Sequence, residues 1–529
     1  MMNTLLIRRA LICHPEPAQR DEGPHGTSRV LPDPTPSARF LSVLRRIGMT
    51  TFALAVFSLT TSHSAWAIAG VDKAPAPSAK HETKFATPKE AKLENGLRVI
   101  VAERPGLPLL AADVVIRNGA EMDPEHLAGT ASLTGSLLSE GTETMSAPEI
   151  ARAIESLGGS IDSGAGWDSS SASVVVMSDK AEPALKILAD VVRHPAFKQE
   201  EIDRLKNQVL DGLRVSLQQP GSLARFVIER VVFGAGAYGH AAGGTLETVP
   251  AISRDQIVKF YGNYYAPQNA AFVLAGDVTL AQGKALAEKF FGDWKNEKAA
   301  PNEQKTSGAQ AWKPQNLVID MPEAGQAAVT VAKPAIKRAS PEYYAAMVAN
   351  AALGNGFVSR LNREIRIKRG LSYGAGSSID PRREIGPFTA FAQTKNESAA
   401  EVAGLMQSEL KRLVTDPVKG EELKSRQAVL TGRYARALET NQGFVSAIAS
   451  LATYDLPLQT LDEYIPKIDA VTSDAVTAFV KEYLATPTSS IIVGKAAAFL
   501  ESLKKDISDV RVIEQKNLDL NRADLVKSR

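Results

Sequence analysis

Apolar residues recur in this chain with two periods, one typical of strands and one typical of helices. Short runs of β-branched and apolar residues predict strands, because such side chains fit a pleated, buried surface. Apolar residues spaced three and four apart predict amphipathic helices. In the first half the predicted strands are residues 98–102, 110–117, 171–177 and 271–276, and the predicted helices are residues 129–139, 147–157, 181–192 and 199–217.

The second half repeats the order of these elements. Residues 255–276 run from a helix with an aromatic end through a proline turn into an apolar strand, and residues 474–494 do the same. The helix pair at 181–217 has a counterpart at 398–437, with a proline at the same place between the two helices. Two matches in register indicate an internal duplication.

A polar stretch without an apolar stripe, residues 294–314, is typical of a linker between the two halves. We therefore predict an α+β fold of two homologous domains, residues 91–293 and 315–500, each a mixed β-sheet packed by helices. The sequence beyond residue 500 is charged and weakly periodic. For residues 501–529 we expect a charged tail, a short helix followed by irregular chain.

Residues 1–67 are typical of a disordered leader followed by a signal peptide. An Arg-Arg pair at 45–46 precedes a short apolar run, residues 49–59, and an Ala-x-Ala site ends at Ala67. We predict cleavage near Ala67 and an exported, most simply periplasmic, protein with a flexible lead-in at residues 68–90. The apolar run is too short to span a bilayer, so we expect no stable membrane insertion after cleavage.

Composition excludes several classes of function. The chain of 529 residues has 61 Lys and Arg against 59 Asp and Glu, a net charge of +2. It therefore lacks the basic excess typical of nucleic-acid-binding proteins. Its one cysteine, Cys13, precedes the predicted cleavage site, so the mature chain has neither a disulfide nor a cysteine-based metal site.

The segment at residues 129–142 predicts an amphipathic helix. Its leucines form an apolar stripe, while Ser132 and Ser136, four residues apart, share another face beside Gly135. This segment resembles the active-site helix of the pitrilysin/insulinase family, which reads Gly-x-Ala-His-x-x-Glu-His and binds zinc. By that resemblance, Ser132 and Ser136 occupy the two histidine positions and Gly135 occupies the glutamate position.

The third zinc ligand of that family is a glutamate on a later, long helix, and the resemblance places this position at Gly212. A serine hydroxyl is a poor zinc ligand, and glycine supplies none. All four positions are therefore degenerate. We expect no zinc or other cofactor in this chain and no peptide cleavage by the chain alone.

The remaining polar residues offer no replacement site. The histidines of the predicted mature chain are His81, His126, His194 and His240. None of them has a second ligand at metal-binding spacing. His240 fits a turn or packing role better than a catalytic one. Three carboxylates could approach the degenerate position, although hydrated surface carboxylates are commoner: Asp162, Asp168 and Asp211. We find no Gly-x-Ser-x-Gly elbow at a strand-to-helix turn, which argues against a serine hydrolase.

In the second half, Gly354 and Gly356 predict a loop that opens a helix, and Tyr373 is expected to start a strand. The segment resembles the C-terminal signature of the same family, Ser-Arg-Leu, then Arg, then Gly-Leu-x-Tyr. That resemblance implies that Arg366 and Tyr373 hold the substrate backbone and stabilise the oxyanion at a zinc site. Without it, they would be a helix-end cation and a strand aromatic. Gly354 and Gly356 become candidates for substrate binding beside their simpler role at the helix entry.

The resemblance covers roughly residues 88–500 and implies half of a clam-shell peptidase-like dimer. We interpret the chain as the non-catalytic subunit of a heterodimeric zinc peptidase. A homologous partner with an intact His-x-x-Glu-His motif would carry zinc, and Arg366 and Tyr373 would act in trans on a peptide substrate. Two alternatives stay open: a structural or peptide-binding protein of the same fold without a role in proteolysis, and an independent enzyme that uses another site.

Overall fold

The computed structural model describes residues 85–296, 299, 305–485 and 487–528. The predicted leader, the signal peptide and most of the lead-in lie outside these residues. Within the described part, no helix has the length and apolar content needed to cross a bilayer.

The first half is built on a mixed six-stranded sheet. Its strands are β1 (Lys89–Lys92), β2 (Arg98–Glu103), β3 (Leu109–Ile116), β4 (Ser160–Ala165), β5 (Ser170–Met177) and β6 (Ala270–Gly276). They lie in the order β1-β2-β6-β3-β5-β4, with β2 and β6 parallel and the other neighbours antiparallel. Its helices are α1 (Thr130–Leu137), α2 (Ala147–Ser156), α3 (Ala181–Arg193), α4 (Gln199–Leu217), α5 (Pro220–Phe233), α6 (Thr248–Ala251), α7 (Arg254–Tyr264) and α8 (Leu280–Phe291).

The second half repeats this plan. Its strands are β7 (Asn316–Asp320), β8 (Ala327–Pro334), β9 (Ala375–Ile379), β10 (Pro387–Thr394), β11 (Ser489–Gly494) and β12 (Val510–Glu514), in the order β12-β7-β11-β8-β10-β9. Its α-helices are α9 (Tyr343–Leu353), α10 (Ala399–Thr415), α11 (Gly420–Ala437), α12 (Asn441–Thr453), α13 (Thr460–Asp469), α14 (Ser473–Phe479) and α15 (Leu500–Asp506). Two further segments, Asn362–Lys368 and Val480–Leu484, are π-helical.

The two sheets have the same connectivity apart from their outer strands. The series β2-β6-β3-β5-β4 corresponds to β7-β11-β8-β10-β9, element by element along the chain. The prediction of an α+β fold made of two homologous domains with mixed sheets is therefore confirmed.

Each half lends one helix to the sheet of the other half. Apolar side chains of α5, including Val227 and Val231, pack on β7, β8 and β11 of the second sheet. Conversely, α12 packs on β3 and β6 of the first sheet, through residues such as Phe444 and Ile448. The opposite face of each sheet is covered by helices of its own half. Both sheets are therefore buried on both faces.

The prediction of an irregular tail was wrong. After α15, the strand β12 adds to the edge of the second sheet, parallel to β7. Ile513 on this strand and Leu525 beyond it are buried against the apolar cluster that contains α5. The physical reason is that these few apolar residues find an open sheet edge, although the residues around them are charged.

Two segments predicted to be flexible are packed where they are described. Phe85, in the supposed lead-in, is half-buried, and its ring meets those of Tyr434 and Phe444 edge-on, at 5.9 and 6.3 Å between centroids. In the predicted linker, Ser307 and Ala309 are buried. Between them, Gly308 packs so closely against the end of α5 that a Cβ atom there would lie 2.1 Å from the carbonyl oxygen of Phe233.

Candidate functional site

Helix α1, the counterpart of the zinc helix, is held at its start by Asp123. The two carboxylate oxygens of Asp123 accept hydrogen bonds from the backbone amides of Gly129 at 2.7 Å and Ala131 at 2.8 Å. The Nε2 atom of His240 lies 3.2 Å from the same carboxylate. His240 therefore belongs to the scaffold of the helix, as expected for a packing residue.

The two serines at the histidine positions lie on α1 and are half-buried. Ser132 and Ser136 are separated by one turn, so they share a face of the helix. Gly212 lies on α4, which packs against α1, and is exposed with open space around it. These positions offer two hydroxyl groups and no imidazole or carboxylate.

Gly135, at the glutamate position, is closed off by the main chain of β4. A Cβ atom at this position would lie 2.5 Å from the carbonyl carbon of Gly164 and 2.7 Å from its oxygen. Real Cβ contacts with backbone atoms are not this short, so a side chain here requires the strand to move. The helix and the strand occupy the space that a general base would need.

These residues do not fit a zinc ion. Zinc in proteins is held by imidazole, thiolate or carboxylate groups at about 2.0–2.3 Å. Among the described residues, no group of three or more His, Cys, Asp or Glu side chains is placed to hold a metal.

The three aspartates considered as substitutes have other surroundings. Asp168 is buried and accepts hydrogen bonds from the Tyr238 hydroxyl at 2.5 Å and the Arg383 amide at 2.9 Å. Asp211 is exposed and pairs with Arg214 at 2.6 Å. Asp162 lies on β4. The partners of Asp168 and Asp211 explain these carboxylates without a metal.

In the second half, Arg366 and Tyr373 lie together as their spacing suggested. Arg366 is on the π-helical segment, and its guanidinium carbon lies 4.7 Å from the ring centroid of Tyr373 and 4.9 Å from that of Phe357. Cations bind the faces of aromatic rings at such distances. The guanidinium is therefore held between two rings, and within the described residues it bonds to no carboxylate.

Tyr373 does not start a strand, so that expectation was wrong. Strand β9 begins at Ala375, and Tyr373 lies in the preceding loop with 90% of its surface exposed. The turn is set by Ser372, whose hydroxyl donates to the carbonyl of Gly374 at 2.7 Å. β9 pairs with β10 in antiparallel orientation. The exposed position leaves the Tyr373 hydroxyl accessible.

The two glycines of the loop differ in their roles. A Cβ atom at Gly354 would lie 2.1 Å from the backbone nitrogen of Ser377, so Gly354 is required by the close approach of β9. Gly356 has φ +135°, a value that favours glycine, and only Arg433 lies within 4 Å of a Cβ built there. The packing role of Gly354 is thus explained, whereas Gly356 borders open space.

Sequence reasoning missed two neighbouring arginines that join the halves, Arg382, which is buried, and Arg383, which is half-buried. Arg382 donates to both carboxylate oxygens of Glu229, at 2.8 and 3.0 Å, and its guanidinium carbon lies 4.3 Å from the ring of Trp167. Arg383 donates to the carbonyl oxygen of Asp168 at 2.9 Å. In the sequence they read as surface cations in a turn. Their role is to fix the two halves relative to each other.

A cavity of about 900 Å³ lies beside the start of α1. Glu121, which lines it, is buried, and burial together with the charge of Asp168 raises the pKa of Glu121 to about 8, against the opposing effect of Arg383. Other charges on its wall neutralise each other, such as Arg522 with Asp524. This cavity is part of the packing between the first half and the tail.

Models of known families match the chain in two segments. The model described as insulinase, peptidase family M16, matches residues 98–232, and the model described as the peptidase M16 inactive domain matches residues 251–430. The chain belongs to peptidase family M16. Arg366 and Tyr373 lie within the segment matched by the inactive-domain model, and the degenerate zinc positions lie within the other.

Relatives and solved structures agree with this assignment. The M16 chain is 24% identical over 419 residues to an uncharacterized zinc protease of Streptomyces coelicolor, covering 78% of this chain and 91% of the relative. A crystal structure of a peptidase M16 inactive domain from Pseudomonas fluorescens matches with a TM-score of 0.72 and 28% identity, covering 77% of this chain and 98% of that one. A protease from Helicobacter pylori, 19% identical, shares the fold with a TM-score of 0.73 over 78% of this chain and 100% of its own.

The predicted family and fold are confirmed by these matches. The roles of individual residues, the pairing with a partner and export stay predictions.

Proposed function

We propose that this M16 chain is the non-catalytic subunit of a heterodimeric zinc peptidase. The observation that carries the proposal is the contrast between its two candidate sites. Position 135 has no space for a side chain and positions 132, 136 and 212 carry no strong metal ligand, while Arg366 and Tyr373 are together and accessible. In this proposal the hydrolytic chemistry comes from another chain, and the similarity to zinc proteases makes a homologous chain the natural partner.

Arg366 and Tyr373 would serve the substrate peptide. A guanidinium donates paired hydrogen bonds to carbonyl oxygens, and a phenol donates one to an oxygen on which negative charge develops. The rings of Phe357 and Tyr373 fix the plane of the Arg366 guanidinium and leave its edge available. Such a fixed donor loses little side-chain freedom when a substrate binds.

The decisive experiment compares three samples: the chain alone, a homologous His-x-x-Glu-His chain from the same source alone, and the co-purified pair. We expect peptide hydrolysis and about one zinc per pair, and neither in this chain alone. Zinc or hydrolysis in this chain alone would contradict the proposal.

The roles of Arg366 and Tyr373 are tested in the two-subunit complex. We expect Arg366→Ala to lower kcat/KM of the pair by roughly a hundredfold, the usual effect of losing one oxyanion donor. Arg369→Ala is a suitable control, because Arg369 lies at the end of the same segment and pairs with Glu364. Full activity of the Arg366→Ala complex would instead favour a structural or peptide-binding protein.

A further inference from the structure

Four arginines surround the loop between α9 and the π-helical segment. We call residues 355–358, with these side chains, the arginine loop. Arg366 stacks on Phe357, Arg426 donates to the carbonyl oxygen of Val358 at 2.8 Å, and Arg433 donates to the side chain of Asn355. The fourth is Arg363, which is exposed and is close enough for its charge to act on Arg426.

The arginine loop is held in one conformation. The carbonyl oxygen of Phe357 accepts a hydrogen bond from Asn362 Nδ2 at 2.5 Å, and the backbone amide of Ser359 donates to the carbonyl oxygen of Gly356 at 3.1 Å. The side chains of Phe357 and Val358 nevertheless point outward, with 61% and 47% of their surfaces exposed. A fixed loop with exposed apolar residues is a feature of binding surfaces.

The arginines of the arginine loop meet no carboxylate directly within the described residues, although the charge of Glu422 acts on Arg426. Nearby cations are paired: Arg360 forms two hydrogen bonds to Glu422, at 2.7 and 3.0 Å. Within the described residues, none of the four loop arginines makes an ion pair. Arg426 is buried and its Nε atom has no hydrogen-bond partner there.

Burial lowers the pKa of the Arg426 guanidinium. Glu422 opposes this shift, while the charges of Arg363 and Arg360 add to it. A carboxylate brought to the loop would relieve this repulsion.

We propose that the arginine loop binds the carboxylates of acidic peptide segments and thereby selects the substrates of this subunit. Clusters of arginine recognise acidic motifs because each guanidinium offers paired donors to a carboxylate. The exposed rings of Phe357 and Tyr373 give apolar contact to the same peptide. That the bound peptide is a substrate rests on the proposed function, whereas binding itself depends on this chain alone.

A peptide suits this surface better than a nucleic acid. Nucleic acids need a basic stripe that follows the backbone. Here the cationic cluster is local, and the neighbouring Glu364 and Glu422 are each engaged by basic residues. The net charge of +2 provides no wider basic surface.

Binding of short fluorescent peptides to the isolated chain tests the proposal. The set comprises an unstructured peptide with central Asp and Glu residues, its Asn and Gln counterpart, and both with a free or an amidated C-terminus. We expect the acidic peptide to bind roughly tenfold more tightly at low salt, with the preference reduced at high salt. An effect of amidation would assign the bound carboxylate to the peptide terminus, and its absence would assign it to side chains.

Charge reversal locates the binding surface. We expect R363E/R433E to abolish the acidic preference. The control K186E/K259E, which changes the net charge equally at two exposed residues of the first half, should keep it. Arg363 is exposed, so R363E alone serves if the double variant melts early. An acidic preference that survives in R363E/R433E, or equally tight binding of a single-stranded oligonucleotide, would overturn the proposal.

These outcomes are independent of the partner experiment. Acidic-peptide binding by a chain that never forms an active pair would sustain the arginine loop as a peptide site and reject the zinc-peptidase subunit. An active pair without acidic preference would do the reverse.

Discussion

The two halves of this M16 chain share a sheet but differ at the place where each could meet a peptide. In the first half, α1 lies so close to β4 that position 135 is filled by the backbone of the strand. In the second half, Phe357 in the loop after α9 and Tyr373 in the loop before β9 are exposed, with Arg366 between them.

This difference shows how one duplicated fold can carry two kinds of surface. At its zinc positions the first half has no better metal ligand than a hydroxyl group, and α1 contributes to packing. The second half exposes aromatic rings, which have a cost in water unless a partner or ligand covers them. The predictions below test whether packing dominates the first half and binding the second.

The largest effect is expected at the centre of the sheets. Asp113 in β3 corresponds to Thr330 in β8. Asp113 is paired with Val273 of β6 and Thr330 with Ile491 of β11, and these two partners lie equally far from the C-terminal ends of β6 and β11. Both are buried, but the Oδ1 atom of Asp113 lacks a hydrogen-bond partner within the described residues, and burial raises the Asp113 pKa to about 7.

A raised carboxyl pKa means that the folded state binds the proton more tightly than the unfolded state does. Stability is therefore lost as the pH rises from about 4 to about 7, and the loss persists above pH 7. We expect Asp113→Asn to stabilise the chain at pH 8 by up to roughly 4 kcal/mol and far less at pH 4.5. Thermal melting at both pH values measures this, and an equal shift at the two would contradict it.

The second effect concerns the outer strands, where the halves differ. The first sheet takes its sixth strand from the start of the domain and the second takes it from the tail. We expect Leu525→Ala, at a buried residue, to cost about 3 kcal/mol of unfolding free energy. Val512→Ala on β12, where Val512 is 41% exposed, is the control. If denaturant unfolding showed similarly small losses of unfolding free energy for both variants, the tail would contribute little to stability.

The smallest effects separate the two glycines of the degenerate zinc site. Gly135→Ala should cost about 2 kcal/mol, because its Cβ meets the backbone of β4. Gly212→Ala should add about 1 kcal/mol, because Gly212 lies in open space within a helix and alanine favours helices. Chemical denaturation of both variants gives the comparison. Stabilisation by Gly135→Ala would show that the first site is open after all.

Sequence patterns predicted most elements of the fold to within a residue or two. Apolar periodicity predicted α4 and β5, and the duplication predicted that the second half repeats the elements of the first along the chain. The strand β12 escaped prediction because no strand stands at the corresponding place along the first half, and its five residues, Val-Arg-Val-Ile-Glu, show neither a continuous apolar run nor strict alternation. An edge strand depends on the partner it finds, which local sequence does not reveal.

The sequence predicted those parts of the candidate site that short motifs define. The spacing of Arg366 and Tyr373 placed them together, and comparison with the family's His-x-x-Glu-His motif showed that the histidines are missing. The closure at Gly135 depends on where β4 lies, and the arginine loop joins side chains about sixty positions apart in the chain, from Arg363 to Arg426 and Arg433. Such contacts follow from tertiary packing and have no local signature.

The exchange of α5 and α12 has a consequence for how the protein is made. The first sheet lacks one of its two covers until α12, which ends at Thr453, has left the ribosome. The second sheet lacks its central strand until β11 follows. Neither half can finish its core early, so both should form in a single transition near the end of synthesis, and a cut between the halves should leave two fragments that stay associated.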